Sequence, residues 1–588
     1  MYTMNFDINS NIDIESSIEV DESFSGAYKL KLFWGTKQIS PEDSVTIELK
    51  YPMKNIMNVW LPNSVPLKEL PRAIKADWVG KPNLYSSIAS SAPILCFYDN
   101  SDVNRLTIAL SETKKRVNID FGVIEKEAAL KISFNIPLAQ YSGASGTELC
   151  IYTDESELPM YRAVAAVSEW WENKIGIKPM RVPECAFEPL YSFWYSFHQD
   201  IFEKEIEAEC QRAAALGFKN VIVDDGWQTD DNNGGYAYCG DWKPCKAKIS
   251  DFAEHVKKVH DMGLKYMLWY SVPFVGRKSE NWDKFKDKLL YFDDSFGAGV
   301  LDPRYAEVRE FLISIYKNAL LERDLDGFKL DFIDSFVNIN NIPPNGEMDI
   351  PDLQDAIDKL MTDIRDELMS IKKDVLIEFR QTYIGPNIRK YGNMLRAADC
   401  PYDYLTNRTA TLDLRLTSGH TAVHSDMLMW SADESAETAA MQIINCIFSV
   451  VQISVKLDKI PESHRKMLRF WIWFMSQNKD LLLKSNIAVF EPHLYYTAAK
   501  AYDDDKEIIA VYANDKCVNI ERTSAVVING TAKQNVICRF GDSRERKLTI
   551  LDCMGKIVYE GTFEPEGIQS IAVPVSGMAV IGDFEIRG

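Results

Sequence analysis

The spacing of apolar residues divides the chain into three stretches. Near both ends, apolar and polar residues alternate over short runs such as TIELKYP and NRLTIALS early in the chain and KEIIAVYAND and RKLTILDCMGK near its end. This period of two is typical of antiparallel sheets that cover a core with one face. We therefore predict an N-terminal β-sandwich over residues 1–185 and a smaller C-terminal β domain, also a sandwich, over residues 485–588.

The middle stretch, residues 186–484, alternates β-rich runs with helix-like ones, which indicates parallel strands joined by crossover helices. The eight β-rich runs are YSFWYSF from Tyr191, NVIVDDGW from Asn220, KYMLWYSV from Lys265, GFKLDFID from Gly327, VLIEFRQ from Val375, MLRAADC from Met394, AVHSDML from Ala422 and ISVKLDK from Ile453. Eight parallel strands close a (β/α)₈ TIM barrel, so the predicted fold class is α/β with two flanking β domains. Only a turn or two of helix fits between the fifth and sixth runs, and the helix EKEIEAECQRAAALG is expected to stop at Gly217.

Composition and charge narrow the classes of partner. The 588 residues carry 86 acidic and 66 basic side chains, a formal net charge of −20, which disfavours nucleic acid and anionic membrane surfaces as partners. The N-terminus shows no secretory pattern, and polar residues interrupt the most apolar stretch, so we expect neither export nor membrane insertion. Eleven cysteines without CxxC pairs indicate reduced thiols and predict a cytoplasmic protein.

The fourth predicted strand carries the first candidate catalytic pair. In GFKLDFID, Lys329 and Asp331 are two residues apart and face one side of a strand, while Phe328, Leu330 and Phe332 face the other. A neighbouring cation favours the ionised carboxylate that a nucleophile requires. Lys329 could also donate to sugar hydroxyls, and the alternative interpretation is a salt bridge at the end of a strand.

The sixth predicted strand ends at a second carboxylate. Asp399 follows two alanines that leave room for a ligand, and Asp403 lies four residues further on. Glycoside hydrolysis with retention of configuration uses two carboxyl groups about 5 to 5.5 Å apart, one as nucleophile and one as acid and then base. We favour Asp399 over Asp403 as the acid/base, while the alternative for either is to cap the next helix.

Further polar and aromatic residues lie at the predicted strand ends. Asp224 and Asp225 end the second strand and offer acceptors to neighbouring hydroxyls, provided that the chain curls off the strand so that both reach inward. Trp194, Trp227 and Trp269 also lie at strand ends, where rings could stack on the apolar face of a sugar. Each single tryptophan could equally be core packing.

Several of these segments together resemble a known family. VIVDDGW, the KLD of GFKLDF, LDPRYAEVREFL and RAADCPYD are similar to the clan D α-glycosidases, in particular glycoside hydrolase family 36, the α-galactosidases and raffinose-synthase-like proteins. The resemblance implies a retaining α-galactosidase with Asp331 as nucleophile and Asp399 as acid/base. It also implies that Asp224 and Asp225 bind the O4 and O6 region of the sugar, and that Lys329 is a further sugar contact.

The chain departs from this family pattern in two places. Where the family usually has a Cys-Ser-Gly-Gly-Gly run after strand five, this chain has Glu378, Arg380 and Gln381, and ADCPYD replaces an SDxTD pattern around the acid/base. Arg380 and Arg396 are therefore candidate substrate contacts, with pairing to a neighbouring carboxylate as the alternative. The leaving-group side is expected to differ from that of the family.

Three other functions share a concave barrel site. A metal-dependent hydrolase could use His198, Asp224, Asp225, His420, His424 and Asp426, although the chain has only seven histidines and no HxH pair. A galactosyl transglycosidase, similar to raffinose synthase, would keep the fold and change the acceptor, and a sugar-binding protein would lack catalysis. We predict no cofactor and no metal, a carbohydrate substrate as the partner and, from the family resemblance, a homo-oligomer.

Overall fold

In a computed structural model of the chain, residues 4–36, 39–62, 72–79, 84–141, 143–380 and 382–584 are described. The N-terminal strands form a five-stranded sheet, β1-β4-β10-β9-β6, and a six-stranded sheet, β2-β3-β11-β8-β7-β5. The strands are β1 (Phe6–Ser10), β2 (Glu15–Val20), β3 (Ala27–Phe33), β4 (Ser44–Pro52), β5 (Asn58–Trp60), β6 (Leu84–Ser86), β7 (Ile94–Tyr98), β8 (Asn104–Leu110), β9 (Val117–Ile124), β10 (Ala129–Pro137) and β11 (Gly146–Asp154). Their alternating inner residues form one core, as the period-two pattern predicts.

The middle of the chain forms a closed barrel of eight parallel strands, which confirms the predicted fold class. The strands are β12 (Leu190–Ser192), β13 (Asn220–Val223), β14 (Lys265–Ser271), β18 (Gly327–Asp331), β19 (Leu376–Arg380), β20 (Met394–Arg396), β21 (Ala422–Leu428) and β22 (Val450–Ile453). The first and last strands are offset from the predicted runs. The chain leaves β12 after Ser192, and β22 ends at Ile453, where the predicted run begins.

Helices cover the outside of the barrel and link it to the N-terminal sheets. They are α1 (Met160–Asn173), α2 (Trp194–Phe197), α3 (Glu203–Leu216), α4 (Phe252–Asp261), α5 (Trp282–Phe285), α6 (Ala306–Arg323), α7 (Leu353–Ile371), α8 (Tyr404–Thr417), α9 (Ala436–Asn445) and α10 (Glu462–Gln477). Helix α3 ends as predicted, because Gly217 takes a left-handed conformation with φ of 102° that closes the last turn. Between β19 and β20 the crossover is a single 3₁₀ turn, Ile388–Lys390, which agrees with the short gap in the sequence.

One sheet was not predicted. Strands β15 (Phe274–Gly276), β16 (Leu289–Asp293) and β17 (Ala298–Leu301) form an antiparallel sheet inserted between β14 and α6. Its strands are three to five residues long, too short for an alternation pattern to stand out. The sheet follows the carboxyl end of β14, which places it beside the mouth of the barrel.

The barrel interior changes character along its axis. At the amino end of the strands, inward residues form an apolar cluster that includes Leu190, Ile222, Met267, Leu376 and Met394. Two residues further along the strands, the inward positions are charged or polar: Lys329, Glu378, Arg396, His424 and Gln452, all buried. Because side chains alternate along each strand, the next inward positions, Asp331 and Arg380, face the open carboxyl end.

The C-terminal strands form a seven-stranded sheet, β23-β24-β25-β27-β32-β29-β30, and a three-stranded sheet, β26-β28-β31. They are β23 (Asn486–Phe490), β24 (Ala498–Tyr502), β25 (Lys506–Val511), β26 (Cys517–Ile520), β27 (Ser524–Asn529), β28 (Asn535–Phe540), β29 (Arg546–Leu551), β30 (Ile557–Phe563), β31 (Ile568–Ala572) and β32 (Met578–Ile581). The two sheets enclose a separate apolar core. The exact domain limits at residues 185 and 484 stay a prediction.

A buried polar cluster joins the three parts of the molecule. We call Trp60, Arg72, Asp413 and Tyr496 the junction cluster. Arg72 donates to both carboxylate oxygens of Asp413 at 2.7 Å, and the Trp60 indole donates to the same carboxylate at 2.8 Å. The Tyr496 hydroxyl donates to it as well. Residues from the N-terminal sheets, helix α8 and the start of the C-terminal domain therefore meet on one carboxylate.

Among the described residues, no helix combines the length and the apolar character needed to cross a membrane.

Candidate active site

Asp331 lies at the carboxyl end of β18 and is held by three donors. The Trp269 indole donates to its Oδ2 at 2.9 Å, and the backbone N–H of Phe332 donates to its Oδ1 at 2.8 Å. Arg380 Nε also donates to Oδ1. Three donors fix the orientation of this carboxylate, which is almost completely buried.

Asp399 lies across the mouth and shares Arg380 with Asp331. Arg380 Nη1 donates to Asp399 Oδ2 at 3.2 Å, while Arg396 Nη2 donates to Asp399 Oδ1 at 2.8 Å. Unlike Asp331, the Asp399 side chain is 43% exposed. Burial by itself would raise the pKa of Asp399, but the charges of Arg396, Arg380 and Lys329 together hold that pKa well below its usual range.

A second layer of buried charges supports Arg396 from below. Its guanidinium pairs with Asp426, and its Nε lies 3.8 Å from Glu378. Asp426 also accepts hydrogen bonds from the Tyr195 hydroxyl at 2.9 Å and from the Cys400 backbone N–H at 2.7 Å. Burial raises the pKa values of Asp426 and Glu378, although the Arg396 charge opposes the change in both.

The turn after β13 places both Asp224 and Asp225 inward, as predicted for a chain that curls off the strand. Lys329 Nζ donates to Asp224 Oδ2 at 2.7 Å, so the salt bridge that the sequence offered as an alternative for Lys329 is formed with Asp224 and not with Asp331. The turn depends on Gly226, which has φ of 110°, because a Cβ there would lie 2.7 Å from the Gln199 Cα.

Asp225 is held by two amides instead of a cation. Gln199 and Gln228 donate to its two oxygens at 2.7 and 2.6 Å. Burial raises the pKa of Asp225 to about 6, and the two amides moderate that change. The carboxylates of the DDG turn therefore differ in their partners, a cation for Asp224 and neutral donors for Asp225.

The three tryptophans expected to stack on a sugar are placed differently. Trp227 is fully buried, packs edge-on against Tyr270 and donates to the Trp269 carbonyl, so its expected sugar contact is wrong. Trp269 is also buried, with Tyr236 stacked on its ring at a centroid distance of 5.9 Å. It reaches the site through its indole N–H on Asp331. Only Trp194, half-buried, keeps part of its ring accessible at the mouth.

Two further expectations need correction. Asp403 is the N-cap of α8, where it accepts from the Thr406 backbone N–H at 3.1 Å and from the Thr406 hydroxyl. The helix-cap alternative therefore describes Asp403. Phe332 does not continue β18, because it takes a left-handed conformation with φ of 65°. Its ring instead lies under Arg380, whose Cζ is 4.9 Å from the ring centroid.

Several partners of the carboxylates were not predicted from the sequence. These are Tyr195, Gln199, Gln228, Gln452 and, as part of this network, Asp426. The only available signal was their proximity to a predicted strand end. Amide and phenol side chains form no recognisable sequence motif with the carboxylates that they contact, because those carboxylates lie elsewhere in the sequence. Gln381, named at the departure from the family pattern, lies outside the described residues.

The histidines suggested for a metal-dependent hydrolase make other contacts. His424 Nε2 is 2.8 Å from the Ala186 carbonyl, and burial lowers the pKa of this imidazole to about 3. The His198 ring stacks on Trp194. Over the ranges that the structure describes, no three His, Cys, Asp or Glu side chains are grouped so as to hold a metal ion.

Comparison with known sequences identifies relatives of the barrel. Residues 188–379 match the family model Melibiase. α-Galactosidase Mel36A of Lactobacillus acidophilus is 28% identical over 152 residues, which cover 24% of this chain and 20% of that protein. α-Galactosidase AgaA of Geobacillus stearothermophilus is 28% identical over 165 residues, covering 26% and 22%. The matches thus span about a fifth of each relative.

Comparison with solved structures extends the likeness to the whole chain. The family 36 α-galactosidase AgaA of Geobacillus stearothermophilus superposes with a TM-score of 0.63 at 14% identity, covering 99% of this chain and 88% of that one. The α-galactosidase of Lactobacillus brevis gives 0.63 at 13% identity, covering 99% and 86%. At such identities the likeness shows the fold. With the match in the barrel, these comparisons confirm that the chain resembles the glycoside hydrolase family 36 α-galactosidases.

Proposed function

We propose that this protein is a retaining α-galactosidase. The observation that carries the proposal is that Asp331, at the end of β18, and Asp399, in the loop after β20, both contact one guanidinium. Retention of configuration needs two carboxyl groups that face each other across the bound sugar, and these two acids meet at one side chain of the mouth.

The different surroundings of the two carboxyl groups favour distinct roles. Asp331 is buried, oriented by three donors and suited to attack the anomeric carbon as a carboxylate. Asp399 is exposed enough to meet a leaving group and water. In the first step an Asp331 oxygen bonds to the anomeric carbon, the glycosidic bond breaks, and protonated Asp399 gives its proton to the departing oxygen. In the second step Asp399 takes a proton from water, whose oxygen replaces Asp331 on the sugar.

The polar groups around this pair suit a neutral sugar. Asp224, Asp225 and Lys329 offer acceptors and a donor on the β13–β18 side of the mouth, where sugar hydroxyls could exchange hydrogen bonds with them. Variants of the relative AgaA have been solved with raffinose and with stachyose. These observations support an α-galactoside as the substrate of this chain, with Arg380 and Arg396 near the reacting bond.

The test is hydrolysis of 4-nitrophenyl α-galactoside by the wild type and by Asp331→Ala. We expect the variant to lose turnover and to recover part of it with azide, which replaces the missing nucleophile and yields a galactosyl azide. Unchanged activity in the variant would exclude Asp331 as nucleophile. EDTA is expected to have no effect; loss of activity restored by zinc or manganese would instead favour the metal-dependent alternative. Aryl glycosides of other sugars and of both anomers test the choice of galactose.

A cytosolic location and self-association belong to the same proposal. All eleven cysteines are free thiols, most of them buried, which suits a reducing compartment. The homo-oligomer predicted from the family resemblance is tested by sedimentation velocity on the purified chain.

A further inference from the structure

The position of Arg380 conflicts with the chemistry that its neighbours would perform. Its guanidinium contacts Asp331 through Nε and Asp399 through Nη1, and therefore lies between the two carboxyl groups. In a retaining glycosidase, the anomeric carbon and the glycosidic oxygen must lie between the nucleophile and the acid/base. A substrate and the guanidinium cannot occupy that space together.

The protonation state of Asp399 presents the same conflict. Asp399 receives hydrogen bonds from two guanidinium groups, those of Arg380 and Arg396, and both stabilise the carboxylate. The first step of the proposed reaction needs Asp399 in its acid form. Arg396 is held in place by Asp426 and Glu378, whereas Arg380 is shared with the nucleophile. Of the two cations, Arg380 is the one that can leave Asp399 and keep a carboxylate partner.

Arg380 is attached less firmly to Asp399 than to Asp331, as its release from Asp399 requires. Its contact with Asp399 measures 3.2 Å and ends on an exposed carboxyl group. Its contact with Asp331 is buried, and the Phe332 ring supports the face of the guanidinium. The Asp399 end is therefore the weaker attachment.

Other charged and titratable groups also face the two carboxyls. Asp399 is influenced by Lys329 from β18, Arg396 from β20, Asp426 from β21 and Tyr195 from α2. These remain when Arg380 is replaced, so their effect is common to the wild type and the variants.

Asp331 is faced by the phenols of Tyr236 and Tyr383 and by the carboxyl group of Asp334. Burial raises the pKa of all three groups, so the phenols stay neutral near pH 7. Within the part of the chain that the structure describes, Arg380 is the one positive charge that contacts both members of the proposed catalytic pair.

We propose that Arg380 is a positioning residue that clamps Asp331 and Asp399 together in the ligand-free protein and must leave Asp399 before that carboxyl group can deliver a proton to a substrate. This inference rests on the proposed glycosidase function. When a sugar binds, the guanidinium withdraws from Asp399 and keeps Asp331 as its carboxylate partner. Asp399 then takes up one proton from solvent. The clamp holds the two carboxyl groups close together, and the positive charge of Arg380 compensates their negative charges.

The test compares the pH dependence of kcat/KM for the wild type, Arg380→Met and Arg380→Lys on 4-nitrophenyl α-galactoside. Loss of the Arg380 charge raises the pKa of Asp399, so Arg380→Met should move the upper pH limit of kcat/KM upward by about 1 pH unit or more. Arg380→Lys keeps the charge and should keep this limit while kcat/KM falls. Arg277→Met removes a surface arginine that pairs with Asp294 and should change neither.

An upper limit that stays in place in Arg380→Met would overturn the clamp. A merely structural arginine would lower the amount of folded enzyme without moving this limit. Arg380→Gln, which retains a donor for Asp331, replaces Arg380→Met if the latter does not fold.

A second measurement needs no substrate and so separates this proposal from the proposed function. Thermal midpoints are compared for Arg380→Met, Asp399→Asn and the double variant. A clamp predicts that the two losses are not additive, because each single change already breaks the shared contact. Additive losses would contradict it, whatever sugar the protein hydrolyses. If the wild type hydrolyses no α-galactoside while the losses are non-additive, the proposed substrate is wrong and the clamp stands.

Discussion

Two buried arginine–aspartate clusters in this molecule use the same chemistry for different purposes. In the junction cluster, Arg72 is paired with one carboxylate, Asp413, which also receives donors from Trp60 and Tyr496. At the barrel mouth, one arginine, Arg380, is divided between two carboxylates.

The difference lies in how the acids are enclosed. Asp413 is buried, and Trp60, Arg72 and Tyr496 all donate to its carboxylate, which is closed off from solvent. At the mouth, Asp399 keeps nearly half of its side chain accessible while its partners lie below and beside it. Burial of an ion pair therefore does not by itself separate a structural pair from the pair at the candidate site. At the mouth, the shared guanidinium joins a buried acid to an exposed one at the open end of the barrel.

The largest effect on activity is expected for replacement of Asp331, the proposed nucleophile. Asp331→Asn should lower kcat/KM for 4-nitrophenyl α-galactoside by about 10⁴-fold or more, because no oxygen remains that can bond to the anomeric carbon as a carboxylate. Its thermal midpoint should fall as well, because Arg380 loses one of its two carboxylate partners, although the amide keeps an acceptor for Trp269. Activity assays and thermal unfolding on the same preparation measure both.

The matched control lies at the other end of the same strand. Asp326 precedes Gly327 at the amino end of β18 and accepts from the Tyr266 backbone N–H at 2.9 Å and from Lys265 at 3.0 Å. Asp326→Asn should lower stability and leave kcat/KM per folded molecule unchanged. Equal losses of activity in both variants would argue against a special role for Asp331.

The acid/base should show a dependence on the leaving group. Asp399→Asn is expected to lower kcat/KM by about 10²- to 10⁴-fold for an oligosaccharide, whose departing alkoxide needs a proton. The loss should be smaller for 4-nitrophenyl α-galactoside, because nitrophenolate leaves without one. Raffinose and the aryl glycoside are compared under the same conditions. An equal loss on both substrates would instead indicate that Asp399 only binds the sugar.

Replacement of the carboxylate in the junction cluster should lower stability and leave activity unchanged. Asp413→Asn leaves the buried Arg72 charge without its carboxylate partner, at a cost of about 3–5 kcal/mol in the free energy of unfolding. Activity per folded molecule should not change. Urea unfolding followed by tryptophan fluorescence measures the loss, and Trp60 lies in the cluster itself. Glu280→Gln, which breaks an exposed pair with Lys243, serves as the control and should leave the midpoint unchanged.

The smallest effect concerns the pH dependence of stability. The pKa of Asp225 is about 6 in the folded protein, above its ordinary value near 4. The folded state therefore binds the proton more tightly, and the contribution of Asp225 to stability falls as the pH rises from about 4 to about 6. Asp225→Asn should remove this fall and gain about 1–2 kcal/mol at pH 7. Thermal unfolding between pH 4 and 7 checks it, and an unchanged pH dependence would contradict it.

Much of the architecture is encoded locally and could be predicted. The number of barrel strands was predicted, and six of the eight runs lie on them, because short β-rich segments between amphipathic helices have few other ways to bury their apolar faces. The first and last runs are displaced along the chain from β12 and β22. The spacing of Lys329 and Asp331 placed both inside the barrel, since alternation along a strand is a local property. The strand ends at Asp224 and Asp399 were found for the same reason.

The tertiary structure decided which of these groups meet. Local spacing suggested Lys329 as the partner of Asp331, yet the folded barrel pairs Lys329 with Asp224 and gives Asp331 to Arg380 and Trp269. These partners come from different strands, and their distance depends on barrel register and closure, which no single segment encodes. The same limit explains Trp227, which has the sequence position of a sugar contact but is enclosed by Tyr270 and its neighbours. The sequence by itself thus determined the barrel and the strand ends that carry its acids, whereas only the packing of strands against one another decided that Arg380 joins Asp331 to Asp399.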